Sequence, residues 1–331
     1  MRVVKFPKRL DLAQKPTPLQ YLERLSTHLG GPRIWVKRDD LTGCAVSGNK
    51  IRKLEFTLAD AIDKGCNTIL TCGGVQSNHC RTTALLCAQL GLNCHLLLRG
   101  SDSEIADGNL LLDKLAGAKV TCYPQTEYQA REKEIFIEWE QFYRDEGKTP
   151  YCIPVGASDG TGVWGYIACA EELANDFISH SIHPGHILSA TGSGGTQAGL
   201  TAGNVLFGLN AKVWGINVCD DEQYFLNKVH HDLQQWKDWF GQELNIDSLS
   251  INVIDGYVGP GYAKATPAMF ETIKALASLE GLILDPVYTG KAFHGMIDQY
   301  RQGRFDDSQD IVFVHTGGIF GLFPQRDQIH L

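Results

Sequence analysis

This sequence predicts an α/β protein of two facing lobes, and three observations carry the prediction. From residue 68 to 145, and again from 162 to 315, short apolar runs alternate with segments of helical period, the pattern of parallel βαβ units. The length of 331 residues favours two domains, or one large unit with an inserted second part. Glycine is plentiful, 35 in all, and gathers where apolar runs end, which is where open α/β sheets hold their ligands.

Taken in order, Thr17-Pro18 opens a helix over 19–29, with Leu19, Leu22, Leu25 and Leu29 on one face and Gly30-Gly31 behind it. Residues 34–37 form a short strand. A second helix follows over 50–64, with Asn49 placed to cap it and Ile51, Leu54, Leu58 and Ile62 turned inward. The alternation then begins, with strands at 68–72, 94–98 and 119–123 and helices at 77–90, 108–116 and 128–145. Glycine density rises over 154–162 and marks a crossing between domains. The second series has strands at 186–190, 212–218 and 311–315. Its helices fall at 162–177, 196–206, around Trp236 and Trp239, and at 266–279 and 289–300.

Composition excludes several classes. A net charge of −8 argues against nucleic acid, whose phosphates call for basic patches. The ten cysteines include no C-x-x-C pair and sit mostly in apolar runs, so metal ribbons and a disulfide framework are poor fits. No metal site is expected. The basic N-terminus lacks the apolar core of a signal peptide, and no run of about 18 apolar residues spans a membrane. Reduced, buried thiols suit a cytoplasmic protein.

Four stretches carry chemistry. In Ser47-Gly48-Asn49-Lys50-Ile51-Arg52-Lys53, a lysine occupies the first turn of a helix, against the macrodipole. Such a lysine, desolvated, titrates low and becomes an amine nucleophile; the plain alternative is a surface charge beside Arg52 and Lys53. Thr191-Gly192-Ser193-Gly194-Gly195-Thr196-Gln197 joins a strand to a helix and offers backbone N–H groups to a phosphate. A dinucleotide fingerprint competes, with Asp220 as its ribose acid, but Gln197 stands where its third glycine belongs. Ser77-Asn78-His79 begins another helix, either as a simple cap or as a grip on a carboxylate and a ring oxygen, with His79 a proton shuttle or a packing residue. Tyr262 and Tyr288 sit on stiff turns and suit stacking or acid/base work, although each alone is commonly structural.

Read together, these stretches resemble the D-cysteine desulfhydrase / 1-aminocyclopropane-1-carboxylate deaminase family of fold-type II pyridoxal-phosphate enzymes. Lys37-Arg38-Asp39-Asp40, Gly48 to Glu55, Gln76 to His79, Thr191 to Gly199, Asp285 to Gly290 and His315 to Gly318 appear in the family's order. The resemblance implies a tryptophan synthase β-like fold, two open, twisted, mostly parallel sheets flanked by helices. It implies a large domain of residues 1–52 and 161–331, a small one of 53–160, and a homodimer. The implied cofactor is pyridoxal 5'-phosphate and the implied partner a small amino acid. Lys50, not Lys53, is then the Schiff-base lysine. Asn78 meets the cofactor ring oxygen; Gly192, Ser193, Gly194, Gly195 and Thr196 hold its phosphate; Thr289 meets its ring nitrogen. Ser77, with Asn78, His79 and Thr316, binds substrate, and Tyr262 and Tyr288 close over it as catalytic candidates.

Where the deaminases resemble Tyr-Glu-Gly, this chain reads Tyr288-Thr289-Gly290. A hydroxyl cannot keep the ring nitrogen protonated as a carboxylate would, and the weaker electron sink suits loss of a good leaving group better than opening of a cyclopropane. His79, in place of the deaminases' glutamine, leans the same way. D-cysteine desulfhydrase is therefore the favoured branch, with the deaminase, a lyase for another β-substituted alanine such as cysteate, and a non-catalytic binding protein as alternatives. Ser47, Ala157 and Ala263 stand where the family pattern has glycine, and they bear on substrate choice.

Overall fold

A computed structural model describes residues 4–102 and 105–329; the first three residues of the basic N-terminus lie outside them. Strand β1 (Leu19–Tyr21) and β2 (Arg33–Lys37) pair antiparallel around α1 (Glu23–Leu29). Next come α2 (Asn49–Asp63), β3 (Thr68–Gly74), α3 (Asn78–Leu90), β4 (Asn93–Arg99) and α4 (Gly108–Leu115), then β5 (Lys119–Tyr123), α5 (Gln125–Asp145) and β6 (Pro150–Ile153). After them run α6 (Trp164–His180), β7 (His186–Thr191), α7 (Gly195–Leu206), β8 (Lys212–Asn217), α8 (Glu222–Phe240) and β9 (Asn252–Ile254). The chain closes with α9 (Pro267–Glu280), α10 (Thr289–Arg301) and β10 (Asp310–Val314).

Two sheets result, as the alternation predicts. One has six strands in the order β1-β2-β10-β7-β8-β9, parallel apart from β1; the other has four, β5-β4-β3-β6, parallel throughout. Each needs apolar cover on both faces. In β10, Ile311 and Phe313 face α1, α9 and α10, while Val312 and Val314 face α6, α7 and α8, the two-residue period of a strand buried on both sides. The smaller sheet packs α2 and α3 through Ile69 and Ile153, and α5 through Cys72 and Leu97.

Three local readings fall short for tertiary reasons, and one apolar stretch that received no element proves to be loop. The helix over 19–29 is a strand followed by a shorter helix, because backbone pairing of Leu19 to Tyr21 with β2 overrides the leucine spacing. Ile62 is 38% exposed, one turn past the part of α2 that the small sheet covers. Strands β6 and β9, of four and three residues, are too short to show a period. Leu282 to Leu284 is buried partly as loop and forms no strand.

Helix α2 touches both sheets' layers, and a buried ion network fixes it. Arg52 gives Nε and Nη2 to Asp39, both at 2.8 Å, and Nη1 and Nη2 to Glu172 at 2.7 and 2.9 Å. Tyr166 and Thr17 donate to the same Asp39 at 2.6 and 2.8 Å, and Lys37 pairs with Glu172 and Asp176. Burial alone would raise the Asp39 and Glu172 carboxyls, but the Arg52 charge wins and both lie below their usual values. A carboxylate depressed in the folded state stabilises it above the unfolded value of about 4, and that contribution fades as pH falls through the lower folded value. Arg52→Met should cost about 3–5 kcal/mol, because it removes the ion-pair partner of the fully buried Asp39 and leaves Glu172 with Lys37 alone. Denaturant unfolding at pH 7 measures the loss, which should shrink on acidification as those carboxylates protonate.

Candidate active site

Lys50, Ser77, Asn78, His79, Gly192, Ser193, Gly194, Thr196, Tyr262, Tyr288 and Thr316 line one cavity between the two sheets. The structure thus gathers nearly every residue singled out from sequence. Gly195 and Thr289 lie behind its wall.

At the start of α2 the cap is Gly48, not Asn49. Gly48 has φ 110°, and a Cβ there would stand 2.7 Å from the carbonyl oxygen of Thr316, so only glycine fits. Asn49 is the first helical residue. Its N–H donates to Thr316 O at 3.2 Å and its Nδ2 to Thr196 Oγ1 at 2.9 Å, which joins the lysine-bearing turn to the glycine loop. Burial pushes the Lys50 amine down to about 8, the shift a nucleophilic lysine needs.

Ser77 caps α3, its Oγ accepting from Cys80 N at 3.2 Å. The cap uses a lone pair, so the hydroxyl proton remains for an anion beside the helix N-terminus. Asn78 accepts from Asn109 Nδ2 through its Oδ1 at 3.1 Å, which leaves its NH2 as the group offered to the cavity. His79, the candidate proton shuttle, packing residue or substrate contact, has its tautomer set by its neighbours. Thr71 Oγ1 donates to Ile153 O at 2.9 Å, so His79 Nε2, at 2.7 Å from the same hydroxyl, must be the donor. Its Nδ1 is then a buried lone pair with no hydrogen-bond partner. Burial, followed by the charges of Lys50 and Lys53, holds the ring far below its ordinary value. The neutral ring therefore offers a lone pair at Nδ1 rather than a second N–H.

The loop 192–196 enters α7 with no side-chain cap from Gly194; Gly195 N–H donates to Ser158 Oγ at 3.2 Å, and the next N–H groups of the first turn are left for a ligand. Thr191 Oγ1 is buried there without a partner. Lys53 supports the loop from beneath, donating to Gly156 O at 3.1 Å and Ser158 Oγ at 3.2 Å, and Ser158 donates in turn to Ser193 Oγ at 2.8 Å. Burial, and then the nearby Lys50 charge, lowers Lys53 far below an ordinary lysine. Opposite, Gly156 has φ 68°, and a Cβ would overlap Ser193 Oγ and reach within 3.1 Å of Lys50 Nζ. The next residue, Ala157, and likewise Ala263 after Tyr262, hold φ of 47° and 59°. Alanine bears a cost of about 1–2 kcal/mol in that region.

Tyr262 and Tyr288 share a hydrogen bond of 2.6 Å between their hydroxyls. Burial raises both phenols, so they stay protonated at neutral pH. Thr289 departs from the expected ring-nitrogen contact: its hydroxyl donates to Asp285 Oδ1 at 2.7 Å, and the same carboxylate oxygen accepts from Thr289 N at 2.8 Å. Asp285 thereby closes the start of α10 and takes the proton that Thr289 would have offered a ligand. Three contributors escaped the sequence reading. Lys53 looked merely structural, Asn109 follows an ordinary helix start, and Arg99 ends β4. Only Arg99 carried a signal, its place at the carboxyl end of a parallel strand.

Comparison with known proteins agrees with this geometry. The model of the family described as pyridoxal-phosphate dependent enzymes matches residues 10–317. A Thermotoga maritima protein provisionally named a 1-aminocyclopropane-1-carboxylate deaminase is 43% identical, over 97% of this chain and 99% of that one. A D-cysteine desulfhydrase of Salmonella newport is 40% identical, over 99% and 98%. A crystal structure of a deaminase homologue superposes with a TM-score of 0.87 at 36% identity, covering 97% of this chain and 95% of the other. The site is that of an enzyme that works through a carbonyl cofactor. The chain belongs to the pyridoxal-phosphate dependent family, with the fold-type II architecture.

The residues present fit that cofactor. A depressed amine, an uncapped glycine loop with an orphaned threonine hydroxyl, and an outward-facing amide donor converge on one cavity. Lys50 would hold the aldehyde carbon, the loop 192–196 the phosphate and the Asn78 NH2 the ring oxygen. Asn109→Asp should turn that amide around, because a carboxylate only accepts. Cofactor dissociation, followed by equilibrium dialysis, should weaken by about tenfold for the lost charge-assisted bond. The cofactor-free protein should also lose thermal stability, because the new carboxylate is fully buried and faces the Gln76 carbonyl, so the dialysis is read at a temperature where the variant remains folded.

Proposed function

We propose that this protein eliminates sulfide from D-cysteine, giving pyruvate, hydrogen sulfide and ammonia. The observation that carries the reading is the Lys50 amine, depressed to about 8, facing the same cavity as the Ser77 hydroxyl and the glycine loop. In this reading the enzyme is a cytoplasmic homodimer, with a cofactor domain of residues 1–52 and 161–331 and a small domain of 53–160. Ten free cysteines suit a reducing compartment, and among the described residues no helix is long and apolar enough to cross a membrane. The homodimer is what the family resemblance implies.

Bound pyridoxal phosphate supplies an electron sink for negative charge at the substrate's α carbon. The chain's own residues do the rest. The Ser77 proton and the N–H groups opening α3 hold the substrate carboxylate. The Lys50 amine, once free, takes the α-proton. Of the two hydroxyl protons on Tyr262 and Tyr288, one closes the bond between them, and the other is available to the departing sulfur. Thr316 borders the substrate at the floor of the cavity.

Two features favour the desulfhydrase over the deaminase. No described residue lining the cavity carries a carboxylate, so nothing there keeps the ring nitrogen protonated, and a weak sink suits a good leaving group. The Salmonella relative carries the same activity in its name.

A paired assay on one preparation tests the choice. Pyruvate release from D-cysteine should exceed 2-oxobutanoate release from 1-aminocyclopropane-1-carboxylate, and the reverse order would install the deaminase reading instead. Lys50→Ala should retain no borohydride-fixed cofactor at this position and should be at least about a thousandfold slower, since it lacks both nucleophile and base. Only the unprotonated amine attacks an aldehyde. In cofactor-free protein the rate of borohydride-trapped modification of Lys50 by pyridoxal phosphate should therefore climb with pH through about 8 and level off above it. A midpoint near that of an ordinary lysine would remove the activated-amine argument.

A further inference from the structure

Arg99 stands at the end of β4, where it borders both the cofactor cavity and a second cavity of 540 Å³ that leads away from it. Its guanidinium lies over two tyrosine rings, 5.7 Å from the centroid of Tyr128 and 5.9 Å from that of Tyr262. Its Nε is buried without a hydrogen-bond partner, and among the described residues no carboxylate stands within ion-pair distance. Asp220 lines the outer cavity but gives its carboxylate to the Cys219 thiol at 3.1 Å. Arg99 is half-buried, and a guanidinium with a buried, unpartnered Nε is normally offered an anion. Two aromatic faces supply part of that compensation, and the planar donor edge is left for a ligand.

The two anionic groups already assigned have their own partners. The cofactor phosphate has the loop 192–196 with Lys53 beneath it, and the substrate α-carboxylate has Ser77 and the start of α3. Arg99 belongs to neither. It borders Tyr262, whose hydroxyl is half of the pair beside the leaving group.

We propose that Arg99 is the specificity-determining residue that receives a negatively charged β-substituent of the amino-acid substrate. The inference rests on the elimination reading above and extends it to a class: β-substituted alanines whose substituent already carries negative charge when bound. A sulfonate meets the guanidinium as a fixed charge. A thiol meets it only as the C–S bond breaks and the bonding pair departs with sulfur. A neutral substituent such as chloride makes little use of it while bound.

The test compares cysteate with 3-chloroalanine, both enantiomers of each, on wild-type holoenzyme, Arg99→Met and Arg99→Lys. Binding is read from the change each ligand causes in the visible spectrum of the bound cofactor, and turnover from pyruvate. Arg99→Met should weaken cysteate by about a hundredfold, the usual scale for truncating one side of a buried charge pair, and 3-chloroalanine by less than about threefold. Arg99→Lys, keeping a cation without the planar fork, should recover about half of the logarithmic loss. Equal weakening of both ligands would assign Arg99 to the α-carboxylate and overturn the proposal. So would no weakening of either, or failure of cysteate to bind wild type. Spectral binding without pyruvate from any of these amino acids or from D-cysteine would defeat the elimination reading while still deciding the role of Arg99.

Discussion

The bond between Arg52 and Asp39 is the constraint on which this architecture depends. Helix α2 begins with no acidic residue in its first turn and no side-chain cap, and two of its first five residues are lysines. Left to local forces, that end would fray, because the macrodipole and the lysines oppose each other. Arg52 prevents it by tying the turn to the loop after β2 through Asp39 and to α6 through Glu172. Lys50 and Lys53, on either side of Arg52, are held where burial alone would expel them. The network thus converts an unfavourable placement into a rigid one.

The same geometry sets the electrostatics of the cavity. Burial lowers Lys50 and Lys53, the Lys50 charge lowers Lys53 further, and His79 stays neutral beside both. The cavity is a place of positive potential with few counter-charges, the compact opposite of the acidic surface implied by the net charge. In the proposed readings anionic ligands complete it, each with its own partner: the α7 loop, the α3 start and the end of β4. Because both sheets contribute, the relative placement of the two lobes sets the spacing between these partners.

Most of this was legible in the sequence where chemistry is local. Helix and strand alternation marked both sheets, since strands buried on both faces read as unbroken apolar runs. Ser77 as cap and the glycine loop before α7 were visible because they sit on strand-to-helix turns. What stayed hidden depended on partners far along the chain. Asn49 looked like a cap, but it reaches across 147 residues to Thr196 instead. Thr289 is the local exception: it looked free for a ring nitrogen, but Asp285, only four residues earlier, takes its proton. The tautomer of His79 is fixed by Thr71 and by the carbonyl of Ile153, 82 residues beyond Thr71. No spacing rule encodes such choices.

Strand β10 has one more consequence. It is the last strand of the chain, yet it lies inside its sheet, hydrogen-bonded to β2 on one side and β7 on the other. Until the ribosome has delivered residues 310–314, the two halves of the six-stranded sheet have no common edge, and the carbonyl of Thr316 that receives Asn49 does not exist. The four-stranded sheet, complete by residue 153, can form while synthesis continues. The larger one must wait with two open strand edges, exposed to wrong pairing. The nascent chain is therefore most vulnerable to aggregation during the stretch between β7 and β10, and the cofactor site is among the last features to appear.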